Sequence, residues 1–233
     1  SIAGPNSRSF LKKIVVSEDP DKTLSNKEFP WLSYRDIEIG MCPVRALRVA
    51  YTGELGWELH HPIEMQNYLL DILLSSGEEF NLKLVGARAQ NWLRQEKSYK
   101  AFGSDLGRDA GPFESKLSRF VDINKNFLGK DALLKRKTDV SCVTLLIDGP
   151  KDIDPWGREA LYNETEEVML GRLTSAGYSV HFKRSIGIGY VKSSFSEVGT
   201  KLRIKIDDAF WNAEIVRDSP YDPQNERIID RAQ

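Results

Sequence analysis

The residues best equipped for chemistry lie together in Tyr51-Thr52-Gly53-Glu54-Leu55-Gly56-Trp57-Glu58. Two carboxylates and a phenol share this short stretch, and a carboxylate can accept two parallel hydrogen bonds from a flat polar ligand edge. Val44 to Tyr51 alternates and predicts a strand, and Trp57 to His61 alternates again before Pro62 stops it. Gly53 and Gly56 supply the backbone freedom of a tight hairpin between them. Such a hairpin brings Tyr51 and Glu58 toward each other and leaves Glu54 in the turn. On spacing alone the same pattern describes a surface hairpin with a charged turn. Metal chemistry has no comparable signal. His60 and His61 are adjacent, so a regular strand points them to opposite faces, and His181 stands alone.

The elements that must position this stretch read as an α+β layer. Asn6 or Ser7 can cap a short helix whose apolar face is Phe10, Leu11 and Ile14. Ser17 to Ser25 is polar and reads as a loop, and Tyr34 to Ile39 alternates as a strand. Met65, Leu69, Ile72 and Leu73 form one face of a helix, with Gly77 as its expected cap. A second helix runs from Ala87 to about Ala101. Its spacing predicts Val85, Ala89, Trp92 and Leu93 as the buried stripe and Arg94, Gln95, Lys97 and Lys100 as the wet side. From about Val140 short strands separated by turn residues take over, the pattern of a small β-barrel or sandwich. The basic run from Lys135 to Asp139 reads as an exposed linker, giving segments 1–137 and 138–233.

Composition narrows the classes. The 233 residues carry 33 basic and 34 acidic side chains, a balance that offers nothing to nucleic acid or an anionic membrane surface. No apolar run reaches the length of a membrane span, and Ser1 to Pro5 has no signal-peptide layout. Cys42 and Cys142 each lie beside apolar residues and read as buried free thiols of a reducing compartment, a bacterial cytosol or a mitochondrial matrix.

Tyr51 to Glu58 resembles the YTGExGxE hairpin of the folate-dependent aminomethyltransferase superfamily, which includes the glycine-cleavage T-protein and the C-terminal folate domains of dimethylglycine and sarcosine dehydrogenases. Further segments resemble the same group in order: Gly4-Pro5-Asn6-Ser7, the LRxEK run from Leu93 to Lys97, Gly103-Ser104-Asp105, Pro112-Phe113-Glu114 and Phe127 to Leu133. Asp154-Pro155-Trp156-Gly157, Thr174 to Tyr178 and Pro220 to Arg227 are similar to segments of its dimethylglycine dehydrogenase branch. Gln90 stands where T-proteins carry an arginine that contacts the folate, and losing that forked charge argues against a plain T-protein.

The resemblance implies a ferredoxin-like α/β portion of a folate-binding fold followed by a C-terminal β-barrel, in a superfamily that packs three units around a folate cleft. It implies that Glu58 binds the polar edge of the pterin, with Tyr51 beside it. Arg94, Tyr178 and Arg227 are further folate-side candidates, and Trp156 reads as part of a shaped turn. Lys97 and Lys100 are candidates for the carboxylate tail of a folate, on charge alone. The first part of the superfamily fold, with an Asp that assists at the folate nitrogen, is expected to precede residue 1, which leaves the catalytic residue unknown. The implied function is tetrahydrofolate binding and capture of a carbon from an N-methylated amine as 5,10-methylene-tetrahydrofolate, with FAD held by a separate upstream domain or subunit. Transfer of the glycine-cleavage type, a folate-fold demethylase and a non-catalytic regulatory module are the alternatives.

Overall fold

The computed structural model describes residues 1–136, 138–149 and 153–230. In chain order the elements are β1 (Ile2–Ala3), α1 (Ser7–Ile14), α2 (Pro20–Thr23), β2 (Tyr34–Ile39), β3 (Cys42–Leu47), β4 (Gly56–His60), α3 (Gln66–Gly77) and α4 (Ala87–Glu96). Then follow α5 (Lys130–Lys135), β5 (Val140–Ile147), β6 (Ala160–Tyr162), β7 (Met169–Ser179), β8 (Arg184–Lys192), β9 (Lys201–Ile206), β10 (Ala209–Val216) and α6 (Glu226–Ile229). Packing divides the chain into two compact units, one of Ser1–Gln90 with the segment from Asp222 onward, the other of Asn91–Tyr221. The first division falls inside α4.

The first unit is an antiparallel sheet in the order β1-β4-β3-β2. Alternation decides its two faces. Ile37, Ile39, Cys42, Val44, Ala46 and Trp57 point into a core completed by Phe10, Leu11 and Ile14 of α1 and by Leu69 of α3. Tyr34, Asp36, Arg45, Glu58 and His60 occupy the other face, where Tyr34, Leu47 and Glu58 form one cross-strand row and Asp36, Arg45 and His60 the next. Two local expectations are corrected. The Ser17 to Ser25 stretch contains α2, started by Asp19, whose carboxylate accepts the Lys22 amide at 3.0 Å. Gly77 ends α3 without turning left-handed. That conformation falls to Asn81 (φ 55°), and Leu82 folds back over Gly77.

The second unit is built on a closed barrel in the order β10-β5-β8-β7-β6-β9, antiparallel throughout. Inward residues such as Val143, Leu145, Leu173, Val191, Ile204 and Ile215 fill it. Closing the sheet on itself removes the unpaired edges that an open sheet would leave. The α+β reading with a following barrel therefore holds. The basic run expected as an exposed linker is exposed at Lys135, Arg136, Thr138 and Asp139, and it is also tied down. Arg136 donates to a Glu114 carboxylate oxygen at 3.1 Å and Thr138 donates to the same oxygen, on either side of Lys137, which lies outside the described residues.

Candidate functional site

Glu58 lies on β4 opposite Leu47, on the sheet face away from the core, because the alternation that buries Trp57 turns Glu58 outward. Its side chain is 43% exposed, and its carboxylate is 3.4 Å from His60 Nε2, the next residue on the same face. An ionised carboxylate offers acceptors only, here from a strand paired on both sides by β1 and β3. Beside it Arg45 donates to both oxygens of Asp36 at 2.8 and 3.0 Å, and this pairing holds the Asp36 carboxyl below its usual range. Asp36 thus satisfies Arg45 on the same face.

The connection from β3 to β4 is broader than a tight hairpin. β3 ends at Leu47 and β4 begins at Gly56, so Tyr51 belongs to the connecting loop, not to the strand. The loop is tied at its far end. The Gly4 amide and the Ser7 hydroxyl both donate to the Leu55 carbonyl, at 2.8 and 3.0 Å. Gly56 is required by close approach rather than by φ: a Cβ there would lie 2.6 Å from the Ile2 carbonyl oxygen. Glu54 meets Arg227 of α6 at 3.4 Å. The Asp222 carboxylate, three residues before the Asn225 N-cap, accepts the amides of Glu226 and Arg227 in the first turn of α6 at 2.9 and 3.0 Å. The first unit therefore gathers Tyr51, Glu54 and Glu58 on one strand–loop–strand segment and brings Arg227 to its loop.

Sequence reasoning missed two arginines under this segment. Arg8 and Arg48 are both buried, with guanidinium carbons 5.5 and 6.0 Å from the Trp57 ring centroid. Burial, then the neighbouring Arg8, pushes Arg48 down to about 10, while Asp230 acts the other way. A signal for Arg48 existed: the alternation that turns Val44 and Ala46 inward carries on to it.

In the second unit the face of α4 expected to be wet is buried, a correction to the spacing argument. Arg94, Gln95 and Lys97 are each 2% exposed or less, whereas Val85, expected in the buried stripe, is exposed. Arg94 is consumed by internal partners: Asp105 and the Tyr99 carbonyl at 2.7 Å, Ser175 at 2.7 Å and Asn91 at 2.8 Å. Asp105 in turn accepts from Thr174 and Ser175, both at 2.6 Å. Trp92 lies against Gly177, and Ser179 donates to Glu96. The end of α4 thus runs along the outer face of β7 at residues 175, 177 and 179. Tyr178, half-buried, alternates to the side of Ala176, a core residue of the barrel. Trp156 is exposed on a turn shaped by Glu159, whose carboxylate accepts the amides of Trp156, Gly157 and Arg158 at 2.6, 2.8 and 2.8 Å.

Both cysteines are buried and unpaired. Among the described residues no cluster of His, Cys, Asp and Glu could hold a metal ion, and no helix is long and apolar enough to cross a membrane.

Comparison with known proteins agrees with this architecture. The profile of the GCVT N-terminal domain matches residues 1–125, and that of the glycine cleavage T-protein C-terminal barrel domain matches residues 141–222. The chain is 36% identical to mitochondrial dimethylglycine dehydrogenase of Mus musculus over 93% of its own length and 25% of that protein's. It is 29% identical to an aminomethyltransferase of Caldanaerobacter subterraneus, over 93% of its length and 56% of that protein's. The crystal structure of the glycine cleavage system aminomethyltransferase T from Bartonella henselae superposes with a TM-score of 0.76 at 20% identity, over 93% of this chain and 57% of that one. The chain thus spans about a quarter of the length of the dehydrogenases it matches.

Proposed function

We propose, from the premise that the chain belongs to the glycine-cleavage T-protein family, that it is the tetrahydrofolate-binding, one-carbon-transfer part of an enzyme of the dimethylglycine or sarcosine dehydrogenase kind. The observation that carries the reading is Glu58, an outward carboxylate fixed on β4 within the Tyr51–Glu58 segment. The donor chemistry fits. A pterin presents an amino group and a ring N–H along one edge, and an ionised carboxylate accepts both in parallel. Tyr51, in the loop before Glu58, is assigned to the same ligand. Arg227 is assigned to the folate side of that loop through its approach to Glu54.

For Arg94 and Tyr178 the assignment is separate and concerns the second unit. Arg94 is a positioning residue, holding β7 through Ser175 and Asp105, and Tyr178 is offered from the opposite side of that strand. Tetrahydrofolate supplies the nucleophilic nitrogens that take up the carbon. The protein's share is to hold that amine close to the arriving electrophile and keep water from it. The product is 5,10-methylene-tetrahydrofolate, and the partners are an N-methylated amine and an FAD-containing domain or subunit that oxidises it.

Calorimetric titration with 5-formyl-tetrahydrofolate tests the reading. Binding at micromolar concentration is the expected result; no heat at millimolar ligand removes it.

A further inference from the structure

The segment that brings Arg227 to the loop is itself clamped by buried charge. Arg48 Nη2 donates to the Ile229 carbonyl at 2.7 Å and Nη1 to the Phe29 carbonyl at 2.6 Å. Arg8 Nε pairs with Asp230 at 3.0 Å, while its other nitrogens reach Asn26 at 2.7 Å and the Leu24 carbonyl. Asn26 donates to the Asp230 carbonyl at 2.7 Å. Each arginine therefore joins the 24–29 turn to residues 229 and 230, using several donors of one planar fork, which a lysine cannot reproduce. Between the clamp and Asp222, Ile228 is 3% exposed. Asn225 and Asp230, on either side of α6, both adopt the left-handed conformation (φ 58° and 57°), so the segment is two sharp bends around a single helical turn. A bent segment of this kind has little local propensity to hold its shape, so the clamp sets where Arg227 stands.

We propose that residues 222–230 form a strap which Arg8, Arg48 and Asp230 lock in place, and that the strap holds the Tyr51–Leu55 loop in its ligand-binding conformation by presenting Arg227 to Glu54. Arg8, Arg48 and Asp230 are then positioning residues for the folate site without contact to the ligand; Arg8 and Asp230 are distant in sequence from Glu58, and Arg48 lies just past the end of β3. The part of this that concerns folate rests on the function proposed above; the coupling of strap to loop does not.

The test is amide hydrogen exchange read by mass spectrometry on the whole chain, with and without 5-formyl-tetrahydrofolate, for wild type, Arg48→Lys and Asp230→Asn. Asp230→Asn is the safer variant, since its side chain is partly exposed and asparagine accepts the left-handed backbone readily. Exchange in the strap is expected to rise about tenfold, the scale of one lost charge-assisted bond, and in residues 51–55 about two- to fivefold, because the Arg227–Glu54 contact is largely exposed, with the barrel unchanged. Arg48→Lys is expected to act likewise although it keeps the charge. The folate dissociation constant rises with the loop's exchange. A strap that loosens while residues 51–55 keep wild-type exchange overturns the proposal, and so does a strap that stays protected in both variants. If wild type binds no folate, the functional reading fails alone, and the exchange result still decides the coupling.

Discussion

At the scale of single residues, two charged side chains show how environment separates a binding role from a structural one. Glu58 is presented outward on a strand. Glu58→Gln keeps the shape but replaces an acceptor-only carboxylate with a group that can accept only one of the two bonds. Folate affinity is expected to fall by about 1.5–3 kcal/mol, with thermal stability unchanged. Arg94, by contrast, is spent inside the second unit, with Asp105 fully buried against it. Arg94→Met leaves that carboxylate without its charge partner, and chemical denaturation should report a loss of about 3–5 kcal/mol. A stable Arg94→Met protein would show that Asp105 is satisfied by its hydroxyl and amide donors alone.

At the scale of elements, the Tyr51–Glu58 segment depends on how closely β1 and β4 approach. Ala3 pairs with Gly56, and the Gly4 amide closes onto Leu55. Gly56→Ala drives a methyl into the Ile2 carbonyl and is expected to cost about 1–3 kcal/mol in urea denaturation. Because β1 has only two residues, its pairing with β4 is expected to be lost before the rest of the sheet unfolds. Amide exchange at residues 2–4 in this variant reads that order. That short strands take over from about Val140 was legible from alternation and turn residues; that β7 runs on through Thr174 to Ser179 was not. The faces of α4 were not, since helical spacing gives a polar and an apolar side but does not say which one meets a polar neighbour. Here Asp105, Ser175 and Ser179 receive the charged side.

At the scale of the second unit as a folded body, burial makes its stability sensitive to alkali. Burial is the main cause raising the Cys142 thiol from its ordinary 9.0 to about 12, and likewise the Tyr190 phenol from 10.0 to about 12. Unfolded, both groups lose their protons near the ordinary values. Between those values and about 12 the folded chain binds more protons, so stability is intact below about pH 9 and declines as pH rises through this window. Denaturation midpoints should therefore drop between about pH 9 and pH 12, with a shallower drop in Cys142→Ala. At neutral pH neither buried thiol should react with iodoacetamide until the chain unfolds.

By itself the sequence determined the α+β layer and the change to short strands of a barrel or sandwich, and its ordered motifs carried the family resemblance around Glu58. The first two are properties of local spacing, which is written along the chain. Only the tertiary structure decided that Tyr51 sits in a loop, that Arg94 is buried, and that Arg8 and Arg48 lie against Trp57 and clamp the strap from 222 to 230. A charged side chain is buried only when partners from remote positions gather around it. Those partners are up to 222 positions away along the chain, beyond the reach of any local pattern.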